Sequence, residues 1–132
     1  MNKLNKKKIL ITDDDKDIRI LVSQILGEEK YEIYFATNGR EAIDAANENK
    51  PDLIILDLMM PEIDGVEVCK RLKLNKDTKK IPIVMLTAKT SVADKIEGFV
   101  IGADEYITKP FDPLKLENTV EKVLHRAEKD NR

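Results

Sequence analysis

Leu53-Ile54-Ile55-Leu56-Asp57-Leu58-Met59-Met60-Pro61 sets four aliphatic residues in a row, then a carboxylate, then an apolar loop stopped by proline. An aliphatic run this short, without alternation, reads as a strand covered on both faces, as strands of parallel sheets are. Asp57 falls where the strand runs out, and Pro61 and Gly65 shape the loop beyond it. Ligands of open α/β sheets sit in the crevice outside the carboxyl ends of the strands. Asp57 therefore stands where chemistry is expected, and the other strands tell what accompanies it.

Upstream, Ile9-Leu10-Ile11-Thr12 reads as a first strand ending on Asp13-Asp14-Asp15, with the lysines Lys6 to Lys8 as a solvated lead-in. Ile18, Leu21, Val22, Ile25 and Leu26 follow helical spacing, with Asp15 as N-cap. Tyr31 to Ala36 reads as a second strand, and Asn38-Gly39 as a turn at positive φ. Arg40 to Asn49 is a helix with a small-residue stripe (Ala42, Ile43, Ala45, Ala46), stopped by Pro51. Downstream, Val68, Cys69 and Leu72 mark a third helix, and Ile81 to Leu86 a fourth strand ending on Thr87-Ala88-Lys89. Val92, Ile96, Phe99 and Val100 predict a fourth helix with Gly102 as its left-handed cap. Tyr106-Ile107-Thr108 is a short fifth strand before Lys109-Pro110. Asp112 and Pro113 then open a last helix carrying Leu116, Val120, Val123, Leu124 and Ala127, with Glu128 to Arg132 expected to fray. Five strand–helix units joined by right-handed crossovers predict a doubly wound α/β domain, a five-stranded parallel sheet with five helices on its two faces.

The 132 residues fit a single domain, with a core expected over about 8–125. Lys+Arg 23 against Asp+Glu 25 leaves a net charge of -2, without the basic excess of a dedicated nucleic-acid binder. One cysteine, Cys69, excludes an internal disulfide and is expected to be a buried hydrophobe in a reducing compartment. No apolar run reaches the ~20 residues of a membrane span, and Met1 to Lys8 lacks the apolar core of a signal peptide, so a cytoplasmic location is expected. His125, alone near a helix end, reads as a solvated side chain.

The strand ends collect a constellation: Asp13 and Asp14 from the first, Asp57 from the third, Thr87 from the fourth, Lys109 from the fifth. Three carboxylates at one edge repel one another unless a cation joins them, and hard oxygen ligands suit Mg²⁺. A lysine and a hydroxyl beside that cation would complete the shell of an anionic substrate. This is the layout phosphoryl transfer requires, and aspartate is a nucleophile in such chemistry.

On Thr12-Asp13-Asp14-Asp15, Leu56-Asp57-Leu58-Met59-Met60-Pro61 with Asp64-Gly65, Leu86-Thr87-Ala88 and Tyr106-Ile107-Thr108-Lys109-Pro110-Phe111, the chain resembles a response-regulator receiver domain of two-component systems. It is similar to the single-domain chemotaxis regulators, from about Lys8 to Leu124. The resemblance implies a flavodoxin-like fold with strand order 2-1-3-4-5 and a phospho-accepting signalling module rather than an enzyme acting on separate substrates. Asp57 would take a phosphoryl group from a phosphohistidine on a sensor histidine kinase or histidine phosphotransfer protein. Asp14, Asp57 and the Met59 backbone carbonyl would bind Mg²⁺ directly, and Asp13 through water. Thr87 and Lys109 would contact phosphoryl oxygens, Tyr106 would be the aromatic switch, and the Lys109–Pro110 peptide would be cis. The surface switched would be the helix over 92–100, the fifth strand and the last helix. Output is expected through a downstream protein target or an output domain, without direct contact to nucleic acid or membrane, and two copies are allowed to pair on phosphorylation. Met59 and Lys89, flanking the water's approach to Asp57, predict a long-lived phosphoryl group, since methionine cannot orient a water.

Two rival readings fit less well. A Mg²⁺-dependent aspartyl-phosphate phosphatase of the haloacid-dehalogenase type carries its nucleophile in Asp-x-Asp after the first strand and needs a cap. A flavodoxin-like cofactor binder needs a phosphate loop where Asp13-Asp14-Asp15 would repel the phosphate.

Overall fold

The computed structural model describes residues 6–88 and 102–130. In chain order they form β1 (Lys7–Thr12), α1 (Lys16–Leu26), β2 (Tyr31–Ala36), α2 (Gly39–Asn49), β3 (Leu53–Asp57), α3 (Gly65–Leu74), β4 (Ile83–Thr87), β5 (Glu105–Thr108) and α4 (Pro113–Asp130). The predicted helix over 92–100 and Lys89 lie outside the described residues. The five strands form one parallel sheet in the order β2-β1-β3-β4-β5. That is the doubly wound, flavodoxin-like arrangement expected from the sequence.

Strand parity divides the interior in two. Ile9, Ile11, Leu53, Ile55, Leu86 and Ile107 point to the side of α1 and α4, where Val22, Leu26, Leu116 and Val120 meet them. Leu10, Ile54, Leu56, Ile83 and Met85 point to the side of α2 and α3, against Ala42, Ala46, Val68 and Leu72. Every residue of β3 is buried, which is why its sequence shows no alternation. Cys69 is fully buried in the second cluster, and burial pushes its thiol up to about 11. The residue is a small hydrophobe at neutral pH. Among the described residues no helix is long and apolar enough to cross a membrane.

The N-termini of the helices are fixed by side chains. Asp15, Asn38 and Asp64 accept hydrogen bonds from the Asp17, Glu41 and Glu67 amides, and Asp112 accepts from Leu114. These caps set where each loop above the sheet turns, and so position the strand-end residues between them.

Several local expectations give way to tertiary structure. Leu21 is 44% exposed, whereas Ser23 is buried and donates its hydroxyl to the Ile20 carbonyl. The buried arc of α1 centres on Val22 and Leu26 and leaves Leu21 at its solvent margin. Asn38-Gly39 is not a positive-φ turn: Asn38 is an extended N-cap, and Gly39 begins α2. A Cβ at Gly39 would lie 2.7 Å from Val68 Cγ2 and 2.8 Å from the Ile63 carbonyl, so close approach requires this glycine. Gly102 does hold positive φ, at 106°. β4 starts at Ile83, because Pro82 cannot donate and instead accepts from the Ile54 amide. Lys7 and Lys8 belong to β1, and Glu128 to Asp130, expected to fray, are helical in α4, while Asn131 and Arg132 lie outside the described residues.

Candidate functional site

β1 and β3 are neighbours at the centre of the sheet and end at the same level, Thr12 opposite Leu56. The next residues, Asp13 and Asp57, therefore emerge side by side. Both are buried, at 0% and 4% exposure, while Asp14 is exposed. One carboxylate oxygen from each of Asp13, Asp14 and Asp57 lies within 4.8 Å of the others. Lys109 comes in from the end of β5, two strands beyond β3. Its Nζ donates to Asp13 Oδ2 at 2.9 Å and lies 3.5 Å from Asp57 Oδ1. The cis Lys109–Pro110 peptide expected for this loop is present. Met59 N–H donates to Asp57 Oδ1 at 3.1 Å, and Asp15 N–H to Asp13 Oδ1 at 2.9 Å.

The electrostatics follow from this crowding. Burial, and then the charge of Asp13, push the Asp57 carboxyl up to about 6, against the opposing pull of Lys109 and the Met59 amide. Burial works against the Lys109 charge, but the Asp13 hydrogen bond and the two carboxylates hold its pKa above the ordinary lysine value. Among the described residues one ammonium, that of Lys109, contacts the three carboxylates, and the imbalance favours a further cation. The donor set fits a small hard cation: three carboxylates, close enough to share it and offering oxygen only.

Thr87 ends β4, one residue past Leu86, the register partner of Asp57, and is wholly buried. Its carbonyl accepts from the Lys109 amide at 2.7 Å, tying the ends of β4 and β5 together. Tyr106 is half-buried against the α2–α3 cluster and pairs with Met85. By strand parity Thr87 and Tyr106 share that face as diagonal neighbours, since Thr87 pairs with Thr108. Met59 is 54% exposed beside Asp57. His125 is exposed on α4, away from the strand ends.

Two further residues support the site: Gly65, already placed by the sequence in the loop beyond Asp57, and Arg19, which no motif singled out. Gly65 donates to the Leu58 carbonyl at 2.9 Å, and a Cβ there would collide with the Asp57 carbonyl and lie 2.8 Å from Leu58 Cα. Only glycine lets α3 begin against the backbone at the end of β3. Arg19, in α1, donates from Nη1 to the Asp13 carbonyl at 2.7 Å. Its signal in the sequence is faint: a cation early in a helix, where the dipole disfavours it, implies a local partner.

Over residues 9–121 the chain matches the family model described as response regulator receiver domain. The alkaline phosphatase synthesis transcriptional regulatory protein PhoP of Bacillus subtilis is 45% identical over 122 residues, covering 92% of this chain and 50% of its own length. The transcriptional regulatory protein ResD of the same organism is 46% identical over 127 residues, covering 96% of this chain and 52% of its own. This chain thus spans about half the length of both regulators. Among solved structures, the Vibrio cholerae chemotaxis protein CheY4 matches with TM-score 0.84 at 39% identity, covering 89% of this chain and 98% of its own. The receiver domain of a Francisella response regulator gives 0.84 at 36%, covering 92% and 98%. With its sheet order, its strand-end cluster and these relatives in agreement, the chain belongs to the response regulator receiver domains, the phospho-accepting modules of two-component signalling.

Proposed function

We propose that Asp57 is the residue that accepts the phosphoryl group, from a phosphohistidine on a sensor histidine kinase or a histidine phosphotransfer protein. The observation that carries this is the buried Asp57 carboxylate at the end of the central strand, 3.5 Å from a lysine ammonium and clustered with two more carboxylates. An Asp57 oxygen attacks phosphorus, the P–N bond breaks, and its electron pair stays on the imidazole. Asp14, Asp57 and the Met59 carbonyl would hold Mg²⁺, with Asp13 engaged through water. When bound, the ion supplies charge neutralisation for the transferring phosphoryl oxygens. Lys109 keeps its ammonium within reach of the acceptor and would move from carboxylate to phosphoryl oxygen. Thr87 would contact a second phosphoryl oxygen, and its diagonal neighbour Tyr106 would fill the space its side chain leaves. The shared face of the two side chains supports this switch. Output would pass to a downstream protein or an output domain, with pairing of two phosphorylated copies as one route.

Incubation with acetyl phosphate and Mg²⁺, read by intact mass, tests the assignment. One phosphoryl adduct is expected, mapping to Asp57 and missing in Asp57→Asn. An adduct that persists at another residue of that variant refutes Asp57 as sole acceptor.

A further inference from the structure

We infer that Arg19 is a positioning residue for the acidic cluster: it sets the plane of the Asp13–Asp14 peptide and thereby aims the Asp14 carboxylate at Asp57. The inference rests on the proposed metal site and concerns how this chain builds it.

Asp13 is held at every polar group. Its amide donates to the Ala36 carbonyl at 3.2 Å, and its two carboxylate oxygens accept from Asp15 N–H and Lys109 Nζ, each at 2.9 Å. Its remaining group, the carbonyl, takes the Arg19 guanidinium at 2.7 Å. That carbonyl belongs to the peptide linking Asp13 to Asp14, so its direction fixes where the Asp14 backbone starts. Asp13 is wholly buried and needs no further aim, but Asp14 is exposed and takes its direction from that backbone. Within the cluster Asp14 is the carboxylate most dependent on outside support.

The location of Arg19 argues that this contact is its purpose. It lies early in α1, where a cation opposes the helix dipole, yet its guanidinium turns back to the loop rather than out to solvent. The Glu41 carboxyl, held below its ordinary value first by the Thr37 amide, is also lowered by the Arg19 charge. Groups that orient a ligand from behind commonly change metal affinity about tenfold or more when removed.

Mg²⁺ titration by calorimetry, with the initial rate of phosphorylation from acetyl phosphate measured against Mg²⁺ concentration, tests this. Arg19→Met is expected to weaken Mg²⁺ binding about tenfold and to raise the half-saturating Mg²⁺ equally, with the rate at saturating Mg²⁺ retained. Arg19→Lys can still donate to the Asp13 carbonyl and is expected to restore most of the affinity. Should Arg19→Met fail to fold, Arg19→Gln answers the same question, since it keeps a polar group without the reach. Affinity within twofold of wild type in a folded Met or Gln variant overturns the inference, as does loss of the saturated rate. Asp14→Asn is the control for the underlying reading. Wild-type Mg²⁺ binding that ignores Asp14→Asn overturns the metal site itself, whereas binding lost there but unchanged at Arg19 overturns only the positioning role.

Discussion

At the scale of single residues, Asp57 carries a cost that the fold accepts for the sake of its site. Its carboxyl is raised from 3.8 to about 6 by burial and by Asp13. Between those values the folded chain keeps a proton that the unfolded chain has released. Stability from this group is therefore complete below about pH 4 and lost as pH rises through 6. In Mg²⁺-free buffer, Asp57→Asn is expected to stabilise the fold by about 1–2 kcal/mol at pH 7.5 and by much less at pH 4. Urea unfolding at both pH values measures the difference; equal gains would mean that burial does not set this titration. A second cost sits one residue before the cluster. Thr12 is wholly buried, and its hydroxyl has no hydrogen-bond partner among the described residues. Thr12→Val removes the unsatisfied group at constant shape and is expected to add about 1 kcal/mol with phosphorylation unchanged. Thermal unfolding with the acetyl phosphate assay checks both halves.

At the scale of elements, the junction of β3, its loop and α3 ties packing to chemistry. α3 starts so close to the end of β3 that a Cβ at Gly65 would strike the Asp57 carbonyl. Gly65→Ala is expected to cost about 1–3 kcal/mol, as overpacking does, and to slow phosphorylation by displacing the Asp57 backbone. Urea midpoints and initial rates report the two effects, and a stable variant with an unchanged rate would contradict the contact. The same junction shows what sequence conveys. β3 and its terminal aspartate are legible because burial on both faces leaves an unbroken aliphatic run, Asp13 and Thr87 because each closes a similar apolar strand, and Lys109 because it stands between the short strand Tyr106-Ile107-Thr108 and Pro110. What is hidden depends on partners far along the chain. Leu21 and Ser23 exchange places according to how α1 is rolled onto the sheet. Gly39 is chosen by Val68 and Ile63, and Arg19 by a carbonyl outside its helix. Helical spacing describes an isolated helix and cannot name those neighbours.

At the scale of the whole molecule, two cores grip the central strand and leave chemistry only at its end. Among the described residues three carboxylates face the single ammonium of Lys109, and a cation that binds only the folded state raises stability by mass action. Mg²⁺ at about a hundred times its dissociation constant is expected to add about 2.7 kcal/mol at pH 7.5, and an unshifted melting temperature would deny the site. The strand order has one more consequence, which concerns synthesis rather than equilibrium. Asp13 and Asp57 leave the ribosome early, but Lys109 follows Asp13 by 96 positions and arrives only with the edge strand β5. A nascent chain already holding β1 and β3 lacks the lysine those strand ends share. Chains stalled on the ribosome with residue 104 exposed are expected to take no phosphoryl group from acetyl phosphate, and those released past α4 to take it readily. That difference would mean that the strand ends acquire their chemistry only once the last strand to be made is in place, and equal labelling of both chains would refute it.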